Sequence, residues 1–133
     1  MVDSRRFEDW FDSSKRSFRG AEILFASGDA DVYEIVAFHC QQAVEKYLKG
    51  VILQNSAELI GSHSLVYLYD RANEFTQLSI TRKDCAYLNQ YYIEARYPAD
   101  TPLTVTEQDM ERCMGIAKKV CWWINDMASE TTL

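Results

Sequence analysis

Residues 38–53 read FHCQQAVEKYLKGVIL, the stretch of this chain with the most apolar helical surface. Wound at about 3.6 residues per turn, the stretch and its approach have one broad apolar face. That face consists of Val36, Cys40, Ala43, Val44, Tyr47, Leu48 and Val51. It is wider than a surface helix needs, so we predict a central helix that packs on more than one side.

The remaining arc of this helix carries a line of polar side chains. Its members recur at steps of three and four residues, so they stack along the helix axis. They are His39, Gln42, Lys46 and Lys49, with Gln41 and Glu45 beside them. We call the first four residues the polar stripe, and it is the first candidate for a ligand-binding site.

An ordinary solvated helix face explains the same stripe and is favoured by the pattern alone. Glu45 and Lys49 are four residues apart, which predicts a surface ion pair worth roughly a few tenths of a kcal/mol. His39 lies where the stripe meets the apolar face. Without a partner group, a hydrogen-bonded boundary histidine is the simpler interpretation.

Length and composition indicate one all-α domain over residues 1–133. The 133 residues are 47% hydrophobic and 26% charged, enough to bury a core. Five glycines and two prolines are too few for the many turns of an all-β protein. No window alternates apolar and polar residues for long, which also disfavours strands.

Several function classes are disfavoured by what the sequence lacks. The start, MVDSRRFEDWF, has no signal-like apolar run, and no stretch approaches the roughly 20 apolar residues of a membrane span. We therefore predict a cytoplasmic protein without a membrane partner. A net charge of -6 disfavours sequence-independent coating of DNA or RNA, although a local basic site stays open.

The cysteines are predicted to be small buried side chains rather than metal ligands or disulfide partners. No C-x-x-C pair and no cluster of histidines accompanies them. They are Cys40, Cys85, Cys113 and Cys121. We therefore expect no metal site and no disulfide framework, and no motif in the chain is typical of a cofactor site.

Apolar spacing and capping residues place the first two helices. The first helix is predicted over residues 7–25, with Asp3 or Ser4 as its N-cap and Gly28 ending it. The second is predicted to begin near Asp31, whose side chain is the predicted cap, and to run to about residue 54.

Three further helices complete a predicted five-helix up-and-down bundle. The third begins with Ser62 as its N-cap, which puts His63 in the first turn, as a capping group or as a neutral donor to an anion. The fourth follows the capping signal at residues 81–84 and ends at Arg96, close to Pro98. The fifth follows a similar signal at residues 106–109.

The first helix also carries a basic group on its polar side. Lys15, Arg16 and Arg19 lie there, with Asp12 and Glu22 interleaved. Because the acidic residues are close in sequence, we predict a neutralised, solvated face.

Three runs, in this order, resemble the HEPN family, the helical nucleotide-binding domain of higher eukaryotes and prokaryotes. Residues 41–49 read QQAVEKYLK, residues 61–65 read GSHSL with His63 at the centre, and residues 95–98 read ARYP. The resemblance covers nearly the whole chain. It implies a five-helix domain that is usually a homodimer. It also implies a gene neighbour, a minimal nucleotidyltransferase, in a toxin–antitoxin-like pair.

The resemblance does not carry over the ribonuclease activity found in some members of the family. Their motif is an arginine followed four to six residues later by a histidine. The arginine stabilises the charge of the phosphate, and the imidazole transfers protons. Here neither His39 nor His63 follows an arginine at that spacing. Catalytic residues therefore stay unassigned, and whether the protein is an enzyme stays open.

What the resemblance does imply is a polar patch for a nucleotide or another phosphate. In this patch Arg96 and Asp100 approach Gln42, Lys46 and Lys49 of the polar stripe. Arginine offers a planar group for two hydrogen bonds to phosphate, and lysine offers a point charge. The glutamine amide can form hydrogen bonds with the edge of a base. The alternative is that Arg96 caps its own helix or pairs with Asp100.

Two adjacent tryptophans of the fifth helix predict a homodimer. Its apolar seam leaves Trp122 and Trp123 on opposite flanks, so both cannot face one core. Pairing of two copies would bury the exposed indole, although a neighbouring helix could cover it instead.

Taken together, the sequence predicts a nucleotide- or RNA-associated dimeric module that works with a nucleotidyltransferase. Two alternatives stay open. One is a metal-independent ribonuclease with a non-standard site, and the other is a purely structural interaction domain.

Overall fold

Five α-helices and one short 3₁₀ turn make up the part of the chain that the computed structural model describes, residues 4–92 and 104–131, with side chains as far as residue 121. The helices are α1 (Phe7–Ala26), α2 (Tyr33–Ser56), α3 (Leu65–Asn73), α4 (Arg82–Asn89) and α5 (Glu107–Thr131). The 3₁₀ turn covers Ala30–Val32. Over these ranges there is no β-strand, and the predicted all-α bundle of five helices is confirmed.

The central position of α2 is confirmed by its packing, since it contacts each of the other four helices. All seven residues of its predicted apolar face are fully buried, as are Ala37 and Ile52. Burying one such aliphatic side chain contributes roughly 1.5–3 kcal/mol before the entropy of ordering is subtracted. The core is therefore built around α2, as the sequence predicted.

The seam between α1 and α2 is close because small residues line it. Ser14 is fully buried and its Oγ donates to the backbone oxygen of Ala43 at 2.5 Å. Phe11 and Ala21 are also buried on this seam, one turn or two from Ser14. Backbones that approach this closely leave little room for added atoms, so α1 and α2 form a rigid pair.

Two capping boxes predicted from the sequence are confirmed. The Thr81 hydroxyl accepts from Asp84 N at 3.0 Å, and the Asp84 carboxylate accepts from Thr81 N at 3.0 Å. At the start of α5, Asp109 N donates to Thr106 Oγ1 at 3.1 Å and Thr106 N to Asp109 Oδ2 at 3.1 Å. Each reciprocal pair satisfies two backbone donors that a helix start would leave unpaired.

The predicted caps of the first three helices were wrong. Ser4 accepts from Arg6 N at 3.1 Å, but Arg6 occupies the N-cap position of α1 without a side-chain cap. Asp29, not Asp31, caps the second segment, because a 3₁₀ turn precedes α2. Ser64, not Ser62, is the N-cap of α3.

The fourth helix ends at Asn89, well before the predicted end at Arg96. Leaving the helix there lets Asn89 Oδ1 accept from Leu65 N at 2.9 Å, which ties the end of α4 to the start of α3. It also buries Tyr91, whose hydroxyl donates to Tyr87 Oη at 3.1 Å. The contact with the distant Leu65, together with the burial of Tyr91, outweighs the helical spacing beyond residue 89.

As far as residue 121, the buried face of α5 is wider than the predicted apolar seam of Met110, Met114, Ala117 and Cys121. Its buried residues are Met110, Cys113, Ile116, Ala117, Val120 and Cys121, and Met114 is half-buried. All four cysteines are buried and free, as predicted. Burial raises the pKa of Cys85, Cys113 and Cys121 to about 12, so these thiols stay protonated and unreactive at neutral pH.

Candidate functional site

The polar stripe of α2 divides into two halves with different surroundings. Lys49 is 6% exposed and the neighbouring Glu45 4%, so the predicted solvated face was wrong for this half. His39, Gln42 and Lys46 are half-buried and lie along α1 and the open edge of α2. Lys49 therefore belongs to a buried polar network with Glu45, whereas His39, Gln42 and Lys46 present polar groups near the surface.

The buried half is organised by the Glu45 carboxylate, which accepts three hydrogen bonds. Gln41 Nε2 donates to Oε1 at 3.1 Å, Lys49 Nζ to Oε2 at 3.2 Å, and His63 Nδ1 lies 3.1 Å from the same Oε2. We call these four residues the Glu45 cluster. A buried carboxylate is stable only when donors replace its lost hydration, and here three side chains do so.

His63 is the solvent-facing member of the Glu45 cluster. It precedes the N-cap of α3, so the predicted place in the first turn of that helix was wrong. Its ring stacks on Tyr92 with centroids 4.7 Å apart and 21° between planes, and its side chain is 50% exposed. With Nδ1 directed at Glu45, Nε2 is the nitrogen that can meet a ligand.

The amide of Gln42 extends the network toward the surface. Gln42 Nε2 donates to Gln41 Oε1 at 2.7 Å, and Gln41 in turn donates to Glu45. Gln41 is fully buried while Gln42 is half-buried. A chain of hydrogen bonds thus links a half-exposed amide to the buried carboxylate and fixes its orientation.

Lys46 and His39 face α1 rather than the Glu45 cluster. Lys46 Nζ donates to Ser17 Oγ at 2.9 Å. Burial lowers the pKa of Lys46, the nearby Glu45 opposes that change, and Arg16 adds to it. Burial, and to a smaller extent Lys46, lowers the pKa of His39, which keeps that imidazole neutral at pH 7.

Two residues of this site were missed by sequence reasoning. Trp10 is buried, its Nε1 donates to the Ser4 backbone oxygen at 2.8 Å, and its ring centroid lies 5.8 Å from Lys49 Nζ. Tyr92 holds the His63 ring by stacking. Neither carries a sequence signal for the site, because both reach it from segments far from α2 in sequence.

Other predicted site residues lie beyond what the structure describes. Arg96 and Asp100 are outside the described residues, and the predicted patch that joins them to the stripe stays a prediction. The backbone of α5 continues through Trp122 and Trp123, but their side chains are outside the described part.

Metal ligation and membrane insertion find no support in the described residues. Within residues 4–92 and 104–121, no group of three or more His, Cys, Asp or Glu side chains could hold a metal ion. No described helix has the combination of length and apolar character that crossing a bilayer requires.

Comparison with known proteins shows the family to which this chain belongs. A family model described as the HEPN domain matches residues 7–127. The chain belongs to the HEPN family. Comparison with curated proteins finds no match.

Two solved structures share the fold of this HEPN domain. The crystal structure of TT1696 from Thermus thermophilus has a TM-score of 0.70 and 24% identity, over 92% of this chain and 98% of that one. The crystal structure of ST0689, an archaeal HEPN homologue, has a TM-score of 0.66 and 25% identity, over 92% and 97%. This chain therefore spans nearly the full length of both.

The chemistry available to this HEPN domain follows from its half-exposed polar groups. Gln42 supplies an amide, Lys46 an ammonium and His63 an imidazole, and the last is oriented by a buried carboxylate. The amide and the ammonium are donors that suit an oxyanion such as phosphate, whereas His63 Nε2 accepts a hydrogen bond while Nδ1 donates to Glu45. A histidine oriented through Nδ1 is also suited to proton transfer at Nε2.

Proposed function

We propose that this HEPN domain binds the phosphate of a nucleotide or of RNA at the exposed edge of α2. The observation that supports the proposal best is the Glu45 cluster. It places His63 at the surface in one fixed orientation, with Gln42 tied into the same network. Side chains that are already held in one orientation lose little freedom when a ligand binds, which favours binding at this edge.

Lys46 supplies the positive charge in this proposal. Its ammonium is half-buried on Ser17, and burial disfavours the charged form. A phosphate beside Nζ would offset that cost by replacing lost hydration with a charge-assisted hydrogen bond. Ligand binding and protonation of Lys46 should therefore favour each other.

We expect replacement of Lys46 by alanine to weaken binding of ATP or a short RNA about tenfold, the effect of losing one charge-assisted hydrogen bond. The Arg96→Ala variant tests the second cation implied by the family resemblance. Lys83→Ala is the control, since Lys83 is exposed on α4 and its loss changes the net charge equally. Isothermal titration calorimetry measures the affinity of the parent protein and of the three variants for the ligand.

Unchanged titration curves in both the Lys46 and Arg96 variants would remove the stripe as a binding site. That result would favour the purely structural interaction domain. An equal loss in Lys83→Ala would instead point to a non-specific charge effect.

The proposed partner is a minimal nucleotidyltransferase in a toxin–antitoxin-like pair, as the family resemblance implies. A neighbouring reading frame for such an enzyme would support this partnership. Co-purification from the native host, followed by mass spectrometry of proteins and small molecules, would identify both partner and ligand. Recovery of the chain without a nucleotidyltransferase would count against the pairing.

A metal-independent ribonuclease is the second candidate, and the contact between Glu45 and His63 favours it. A carboxylate that orients an imidazole through Nδ1 leaves Nε2 to move a proton. Cleavage of the titrated RNA that disappears in His63→Asn but persists in His39→Asn would support the enzyme. Intact RNA with the unmodified protein would exclude cleavage of that RNA.

We further propose a homodimer in solution at micromolar concentration, paired through the flank of α5 to which either Trp122 or Trp123 belongs. Replacing either tryptophan by glutamate should weaken the dimer while circular dichroism still shows a helical protein, because a charge would enter an apolar interface. Sedimentation measures the assembly. A 15.4 kDa monomer throughout that concentration range would contradict the proposal.

A further inference from the structure

A cavity of about 510 Å³ opens between α1 and α5. Its lining combines four cations with one carboxylate, one aromatic ring and one thiol. These residues are Lys15, Arg16, Arg19, Lys118, Glu22, Phe18 and Cys121. Ligand sites in proteins commonly have volumes of roughly 300–1,000 Å³, so the cavity is large enough for a small molecule.

The charge of this lining is opposite to that of the whole chain. The protein carries a net charge of -6, yet the cavity has three more cations than anions. Glu22 lies 3.6 Å from Arg19, but both side chains are exposed and such a pair contributes little. In the described part of the chain, no ion pair joins Lys15, Arg16 or Lys118 to a carboxylate.

The predicted solvated face of α1 is confirmed, because Lys15, Arg16 and Arg19 are exposed, but the prediction that Asp12 and Glu22 neutralise it was wrong. Only the Glu22 contact is formed among the described residues, and Lys118 of α5 adds a cation that the sequence of α1 could not reveal. Packing of α5 against α1 therefore concentrates positive charge that the local sequence balances.

Like charges on α1 make this concentration unfavourable in the absence of an anion. Lys15 and Arg19 are four residues apart, and Arg16 and Arg19 are three apart, spacings at which like charges on a helix repel. A bound polyanion would convert this repulsion into attraction. Arginine adds a planar fork that matches phosphate oxygens, while lysine adds a point charge.

We propose that the cavity between α1 and α5 binds a compact oligophosphate group, at a site separate from the Glu45 cluster. The group is either inorganic or part of an organic molecule such as a nucleoside triphosphate. Phe18, half-buried at the wall of the cavity, could then contact the organic part. A flat aromatic side chain suits a base or another apolar ring.

The test is titration of the full chain with sodium tripolyphosphate, in the Lys46→Ala background so that the α2 edge contributes little. Lys118→Met should lower the affinity about tenfold, as expected for one lost charge-assisted hydrogen bond. Lys119→Met is the matched control, because Lys119 is the next residue, carries the same charge and faces Asp84 at 3.9 Å. Lys118 is preferred to Arg16, which also acts on Lys46.

The outcomes separate this inference from the proposed function. Weaker binding with Lys118→Met and not with Lys119→Met supports the cavity site. No binding of tripolyphosphate, or equal effects of the two lysines, overturns it, whereas the α2 proposal depends on the Lys46→Ala and Arg96→Ala titrations. ATP that binds more tightly than tripolyphosphate, with the difference lost in Phe18→Leu, would identify an organic carrier.

Discussion

Replacing Glu45 by methionine is expected to lower the free energy of unfolding by about 3–5 kcal/mol, the cost of leaving a buried charge without its partner. Glu45 accepts from Lys49 at 3.2 Å, and both side chains are almost fully buried. Methionine keeps the length of the side chain but cannot accept these bonds. Urea unfolding at one protein concentration measures the change, because dimerisation would make stability concentration-dependent.

The opposite replacement, Lys49→Met, should cost less, about 1–3 kcal/mol. The carboxylate of Glu45 then keeps Gln41 and His63 as donors, whereas the Lys49 ammonium has no second carboxylate among the described residues. Asp70→Ala is the surface control. It removes the exposed partner of Arg82 and should cost less than about 1 kcal/mol.

Equal costs for Glu45→Met and Asp70→Ala would contradict a buried cluster. They would mean that the Lys49 ammonium reaches solvent once its partner is removed. The Glu45 cluster would then be a surface feature, and the fixed orientation of His63 would lose its support.

Sequence periodicity was sufficient for the core because burial of a helix face follows from its own spacing. Every residue predicted for the apolar face of α2 is buried, from Val36 to Val51. The capping boxes at Thr81 and Thr106 were equally predictable, since donor and acceptor lie within three residues. Local rules therefore account for the start of α4 and α5 and for the position of α2.

Sequence reasoning failed where a distant segment decides the structure. The contact between Glu45 and His63 joins residues 18 apart, through the segment between α2 and α3, and no helical spacing predicts it. Without that contact, Glu45 and Lys49 look like a surface pair. The predicted end of α4 was wrong for the same reason, because the Asn89 side chain accepts a hydrogen bond from the distant Leu65 N.

A related limit applies to the cavity between α1 and α5. Its cations come from two helices about 100 residues apart in sequence, as the positions of Lys15 and Lys118 show. Charge balance within α1 alone predicted a neutral face. Only the packing of the two helices adds Lys118 to the cations that α1 supplies to the cavity.

Replacing Gly50 by alanine is expected to destabilise the domain by about 1–3 kcal/mol, although alanine is the better helix former. A Cβ at Gly50 would lie 2.6 Å from Phe11 Cε1 and 3.3 Å from Trp10 Cβ. Phe11 cannot move aside easily, since it is buried and its ring contacts Phe7 at 5.9 Å and Tyr47 at 6.3 Å between centroids. Urea unfolding compares the variant with the parent protein.

The same substitution at Gly115 of α5 is the matched control and should have the opposite sign. Apart from the adjoining backbone of α5, no atom of the described residues lies within 4 Å of a Cβ built at Gly115, so alanine there gains helix propensity of about 0.5–1 kcal/mol without a clash. The two variants differ only in what the added methyl group meets. If Gly50→Ala is as stable as Gly115→Ala, α1 does not cross α2 at Gly50 as closely as the structure has it, and the rigid α1–α2 pair that positions Lys46 on Ser17 is lost as an explanation for the site.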